Sequence, residues 1–145
     1  MKAILQRVRK GSVLVQGEMV GEISHGLVIL LGVGPEDDED TARRLADDIA
    51  HLRIFADEQG KMNLSLLDVG GEALVVPQFT LYADTSKGNR PSFTGAASPD
   101  LARSLVDRFV ADLQKLDVPT KSGQFGAHML VEIYNDGPVT ISLEA

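Results

Sequence analysis

Apolar residues along this chain follow two periods, and the switches between them outline the elements. At the start the period is two. Residues 2–9 alternate weakly, and Ser12–Val15 and Met19–Ile23 flank Gln16-Gly17-Glu18, which predicts a strand and then a hairpin. Gly26–Val33 is apolar almost throughout and bordered by glycine, the pattern of a strand buried on both faces. Past Pro35 the period becomes helical: Leu45, Ile49 and Leu52 recur at i, i+4 and i+7, predicting a helix from Asp40 to about Phe55. Asp57–Gly60 and Gly70-Gly71 read as turns around a loop at Lys61–Ser65. Ala73–Val76 is a short buried strand that runs into Pro77-Gln78-Phe79-Thr80. Asp84–Ala97 shows no periodicity, and a loop of that length in a small protein is more often functional than idle. Ser98-Pro99 supplies an N-cap and a first-turn proline, opening a helix to about Leu116 with Leu101, Leu105, Phe109 and Leu113 turned inward. The period of two then returns in Met129, Val131 and Ile133 and again in Val139, Ile141 and Leu143, on either side of Asn135-Asp136-Gly137-Pro138. Asp-Gly between two such runs predicts a closing hairpin.

This order predicts an α/β protein of one domain, residues 1–145. Its sheet would be mixed, largely antiparallel and partly curled into a barrel, with two helices packed on one side. A length of 145 residues and 43% hydrophobic content suit a soluble core of that kind. No apolar run is long enough to cross a bilayer and the first residues lack a signal peptide's apolar segment, so a cytoplasmic protein with no membrane partner is expected.

Charge and composition narrow the chemistry. The absence of cysteine excludes disulfides, thiolate catalysis and Cys-ligated zinc. His25, His51 and His128 are scattered without a metal-ligand spacing, so neither metal nor cofactor is expected. A net charge of −7 opposes a protein that coats nucleic acid non-specifically, and no DNA partner is expected. Glu36–Asp40 forms an acidic block, whereas Lys2, Arg7, Arg9 and Lys10 are cations with no acid among the first ten residues. Gly32-Val33-Gly34 follows a strand, but Pro35 and five acids come next, so it reads as a turn and not as a phosphate cradle.

Two places remain for chemistry. Gln78-Phe79-Thr80 leaves a buried strand. Thr80 has no basic neighbour to activate it as a nucleophile, and its hydroxyl is assigned to the strand end. The N–H groups of Phe79 and Thr80 offer an oxyanion hole. The second place is Gly137-Pro138. Pro138 gives no N–H to a ladder, and an X-Pro bond is the common site of a cis peptide. Taken locally, the stretch is either a stiff turn or a device that presents two carbonyl oxygens.

Gln78-Phe79-Thr80-Leu81 and Asn135-Asp136-Gly137-Pro138-Val139-Thr140 resemble the two signature motifs of the D-aminoacyl-tRNA deacylases. Gln6-Arg7-Val8, Gly60-Lys61-Met62-Asn63, Lys87–Phe93 and Phe125-Gly126-Ala127 extend the resemblance over the chain, in order. It implies that family's fold, a homodimer, and hydrolysis of the ester that joins a D-amino acid, or misplaced glycine, to the 3′ terminal adenosine of tRNA. It further implies that the Gly137–Pro138 bond is cis and enters the partner subunit's site, where the two carbonyls reject an L side chain by collision. Among the catalytic residues, Phe79 and Thr80 would orient the ester and polarise its carbonyl while Gln78 shapes the pocket, with the ribose 2′-hydroxyl assisting water. Arg7 would brace the inserted turn, and Phe125 and Met129 would line the adenine pocket. Pro77 stands where many members carry serine, and His128 and Leu130 where aspartate and glutamine are frequent. Two other readings are an esterase with Thr80 as covalent nucleophile and a non-catalytic module that binds RNA ends or nucleotides.

Overall fold

The computed structural model describes Met1–Ala145. Its organising strand is β1 (Lys2–Val15), which is paired along both edges. One edge takes β2 (Glu18–Ile23) against its C-terminal half and β3 (Gly26–Gly32) against its N-terminal half; the other takes β8 (Leu130–Glu144) along nearly all its length. The turn between β1 and β2 is tighter than expected. Gln16 and Gly17 have φ of 51° and 79°, a two-residue connection whose positive φ values match the twist of the strands.

From β3 the sheet continues in parallel through β6 (Glu72–Pro77) to β7 (Thr120–Ser122). It curls far enough for β2 to meet β7: a Cβ added to Gly21 would lie 3.4 Å from the Ser122 carbonyl oxygen. The result is a mixed sheet nearly closed as a barrel, with α1 (Glu39–His51) and α2 (Pro99–Lys115) packed on one side. Neither helix is long and apolar enough to cross a membrane.

Alternation splits β3 and β6 between two cores. Leu27, Ile29, Leu31, Ala73 and Val75 face the helices and meet Leu45, Ile49, Leu105 and Phe109. Val28, Leu74 and Val76 face the other way and join Val8, Val13 and Ile23. Both strands are therefore covered on both faces, which accounts for their uninterrupted apolar sequences.

Four features differ from the sequence reading. The first helix stops at His51, because the chain turns at Leu52 (ψ 126°) and Phe55 enters β4 (Phe55–Ala56), paired with β5 (Met62–Leu64) where a loop was expected. Strand β7 carries no apolar alternation and is held by backbone pairing to β6. The expected closing hairpin does not form, since β8 never reverses. Gln6 pairs with Thr140 and Val8 with Asn135, so Asp136–Val139 stand opposite Arg7 alone and bulge from a continuous strand. Periodicity shows which face each half of β8 presents; it is silent on whether the chain doubles back between them.

Candidate active site

Strands β3 and β6 run in parallel, and a pocket opens beyond their C-terminal ends, where open parallel sheets commonly bind ligands. Three backbone bonds pin the surrounding loops to the strand ends. The Gln78 N–H donates to the Leu31 carbonyl at 2.8 Å, that of Ala97 to Val33 at 2.9 Å and that of Gly123 to Val75 at 2.8 Å. The cavity, about 180 Å³, has twelve lining residues of which nine are hydrophobic, so it suits a flat apolar group better than a charged one.

Of the residues expected in the site, Gln78, Phe79, Phe125 and Met129 all line this pocket. Phe79 opens a 3-10 turn, Phe79–Tyr82, and is 58% exposed at the rim, edge-on to Phe93 at 5.1 Å between ring centroids. Thr80 is exposed just outside the lining, and its hydroxyl accepts a hydrogen bond from the Gln78 amide. As first residues of the 3-10 turn, Phe79 and Thr80 have no carbonyl acceptor inside it for their N–H groups.

Leu31, Val33, Ala97, Ala102 and Val106 complete much of the wall. Nothing in the sequence separates these from ordinary core residues. Tyr82 is a further unexpected contributor. The turn that carries Phe79 rests its Tyr82 ring on Gly32 and Gly34: Cβ atoms there would lie 3.1 Å from Cε2 and 2.8 Å from the hydroxyl. Gly32-Val33-Gly34 is thus a seat for an aromatic ring. Burial, reinforced by the nearby Asp37 carboxylate, pushes the Tyr82 hydroxyl pKa up to about 12.

Arg7, Gly137 and Pro138 form a second constellation. The Gly137–Pro138 peptide bond is cis, and Gly137 has φ of 137°. Arg7 Nε donates to the Asp136 carbonyl at 2.9 Å while its Nη1 donates to the Ile54 carbonyl at 2.7 Å. Asn135 closes the base of the bulge: its Oδ1 accepts the Val139 N–H at 2.8 Å and its Nδ2 donates to Thr140 Oγ1 at 3.2 Å. A Cβ on Gly137 would come within 3.0 Å of Arg7 Nη2 and 2.9 Å of Val139 Cγ2, so the loop is packed as well as tied.

The two constellations are apart within one chain. Arg7 lies level with Leu27 on β3, whereas the pocket begins at Leu31. Four residues along a strand and two strand spacings across the sheet separate them by roughly 15 Å. No group of three or more His, Asp or Glu side chains is arranged to hold a metal ion.

The site thus combines a sheet closed nearly to a barrel, an apolar pocket at its parallel strand ends and a proline loop bulging from its longest strand. The model of D-Tyr-tRNA(Tyr) deacylase matches residues 4–144. A relative from Heliobacterium modesticaldum, named D-aminoacyl-tRNA deacylase, is 60% identical, with 99% of this chain and 96% of the relative covered. One from Deinococcus radiodurans with the same name is 55% identical, with 99% of each covered. Among solved structures, the c-Myc DNA Unwinding Element Binding Protein superposes with a TM-score of 0.94 at 42% identity, covering 100% of this chain and 99% of that one. The chain belongs to the D-Tyr-tRNA(Tyr) deacylase family.

Proposed function

We propose that this chain removes D-amino acids from tRNA by hydrolysing the ester to the 3′ terminal adenosine, with the site completed by a second copy of the chain. Its relatives are named as D-aminoacyl-tRNA deacylases, hydrolases of that bond. The observation that carries the reading is the pocket: an apolar slot for the adenine, bounded by Gln78 and Phe79, with no nucleophile–base pair beside it. An aminoacyl ester is activated, so orientation by Gln78 and polarisation by the N–H groups of Phe79 and Thr80 are enough, with the ribose 2′-hydroxyl assisting water. Thr80 bonds to an amide and not to a base, which disfavours a covalent mechanism.

Handedness is assigned to the Gly137 and Pro138 carbonyls. Backbone atoms suit such a filter because they cannot rotate away as a side chain can. An L side chain would strike them, while a D side chain or the hydrogen of glycine would pass, so misplaced glycyl-tRNA is accepted too.

The separation of loop and pocket argues for a homodimer. Strand β8 carries the pocket residue Met129 just before its start and the Gly137–Pro138 loop further on; its outer edge has no partner strand. Leu130 and Tyr134 are 63% and 55% exposed on it, a large apolar surface for a free edge. A two-fold axis crossing β8 near Ile133 would carry one copy's loop onto the partner's Met129, an isologous arrangement.

The test is deacylation of matched D- and L-aminoacyl-tRNA. The D form is expected to be hydrolysed and the L form spared, and a terminal 2′-deoxyadenosine is expected to slow the reaction severely. Equal rates on the two enantiomers would overturn the filter. Failure to hydrolyse either form would overturn the deacylase assignment.

A further inference from the structure

Adenosine in the pocket must leave by its 5′ phosphate, so the rim should answer to a strand of phosphodiesters. Arg103 stands there uncommitted, and Lys87 and Arg90 lie on a loop that meets the rim at Phe93. Lys87, Arg90 and Arg103 are exposed and take part in none of the chain's ion pairs.

Arg103 is tied to the pocket directly through an aromatic ring, and the loop that carries Lys87 and Arg90 reaches it through Phe93. Arg103 follows the pocket residue Ala102 on α2, and its guanidinium lies 4.9 Å over the centroid of Phe125, itself part of the wall. Stacking of this kind fixes the guanidinium plane and leaves its N–H edges free for an anion. Lys87 and Arg90 sit in a loop whose base is closed by paired bonds between Asp84 and Ser92, at 2.8 and 2.9 Å. The next residue, Phe93, packs on the rim residue Phe79. The two cationic elements therefore flank the pocket, one against Phe125 and the other against Phe79.

We propose that Arg103, with Lys87 and Arg90 across the pocket mouth, forms a binding subsite for the phosphodiesters of the single-stranded 3′ end of tRNA. The inference rests on the deacylase reading and adds to it how an acidic protein holds a polyanion: by a short cationic collar around an apolar slot. Contacts of this type are charge-assisted and carry no sequence information, so one collar serves every tRNA.

The experiment compares D-aminoacyl-tRNA with D-aminoacyl-adenosine, which keeps the ester and base but has no phosphodiester. For Arg103→Gln, kcat/KM on the tRNA substrate is expected to fall roughly tenfold, carried by KM. For the triple variant Lys87→Gln/Arg90→Gln/Arg103→Gln, the slope of log kcat/KM against log salt is expected to flatten by about 2, close to ~0.7 for each lost contact to a single strand. Arg103→Lys alone, which keeps the charge and loses the planar stack, is expected to keep the wild-type slope. On D-aminoacyl-adenosine the loss should be several-fold smaller than on tRNA. Equal losses on the two substrates, or an unchanged salt slope on tRNA, would overturn the collar. A wild-type protein inert towards both substrates would instead overturn the deacylase reading itself.

Discussion

At the pocket, loops are pinned by backbone bonds to the ends of β3 and β6 and backed by the larger core; at the Gly137–Pro138 loop, backbone leaves the sheet and is held by the side chains of Arg7 and Asn135. The first region owes its shape to packing, which moves only when the core moves. The second is packed only locally, against Arg7 and Val139, and is otherwise tied by a few polar contacts that single substitutions remove. If the pocket binds and the loop selects, as proposed, substitutions should damage the two functions separately.

The largest effect is expected from the packing side. Phe109 is fully buried between α2 and the sheet, one helical turn from the pocket residue Val106. Phe109→Ala is expected to cost about 3–5 kcal/mol, read as a lower urea midpoint with an unchanged m-value. It should depress hydrolysis of every substrate together and leave the preference for D intact.

Arg7→Ala attacks the polar side. It strips a donor from the Asp136 and Ile54 carbonyls, at a cost of about 1–3 kcal/mol. Its signature lies in selectivity: hydrolysis of L-aminoacyl-tRNA is expected to rise at least tenfold relative to D. A uniform loss on both enantiomers would show that the loop is not the filter.

Thr80→Val sharpens the assignment within the pocket. Loss of one orienting hydroxyl is expected to lower kcat by less than about tenfold, whereas loss of a covalent nucleophile costs about ten-thousandfold or more. Single-turnover rates separate the two.

The smallest effect concerns Tyr82, under the turn that carries Phe79. Burial raises its pKa from 10.0 to about 12, so at high pH the folded protein keeps a proton that the unfolded chain has released. Stability must then fall as pH rises from the unfolded value through the folded one, between about 10 and 12. Tyr82→Phe is expected to flatten that part of the profile, measured by urea midpoint at stepped pH.

How much of this was legible beforehand follows from the same contrast. Buried strands and helices announced themselves in the apolar pattern: Leu27–Leu31 is covered on both faces and so apolar throughout, while Leu105–Leu113 keeps the helical period of one buried face. The motif residues Gln78, Phe79, Phe125 and Met129 were found, but the walls Val33, Ala97 and Val106 were not, since an apolar pocket residue and an apolar core residue share one chemistry. The Asp-Gly signal misled for a definite reason. It marks a place where φ can turn positive, and Gly137 does so, yet Arg7 and Asn135 spend that freedom on a bulge while β1 pairs with β8 on both sides of it. Pairing over that distance is not written in local sequence.

The central claim, that pocket and filter come from different copies, is tested most directly by mixing subunits. One variant, Arg7→Ala/Asn135→Ala, keeps the pocket and loosens the loop; the other, Gln78→Ala/Phe79→Ala, keeps the loop and loses the pocket. The first alone is expected to hydrolyse L-aminoacyl-tRNA. After exchange with an excess of the second, each working pocket faces an intact loop from its partner, so hydrolysis of the L form should collapse while that of the D form persists. Undiminished hydrolysis of the L form after exchange would contradict the account, because each pocket would then be reading its own loop.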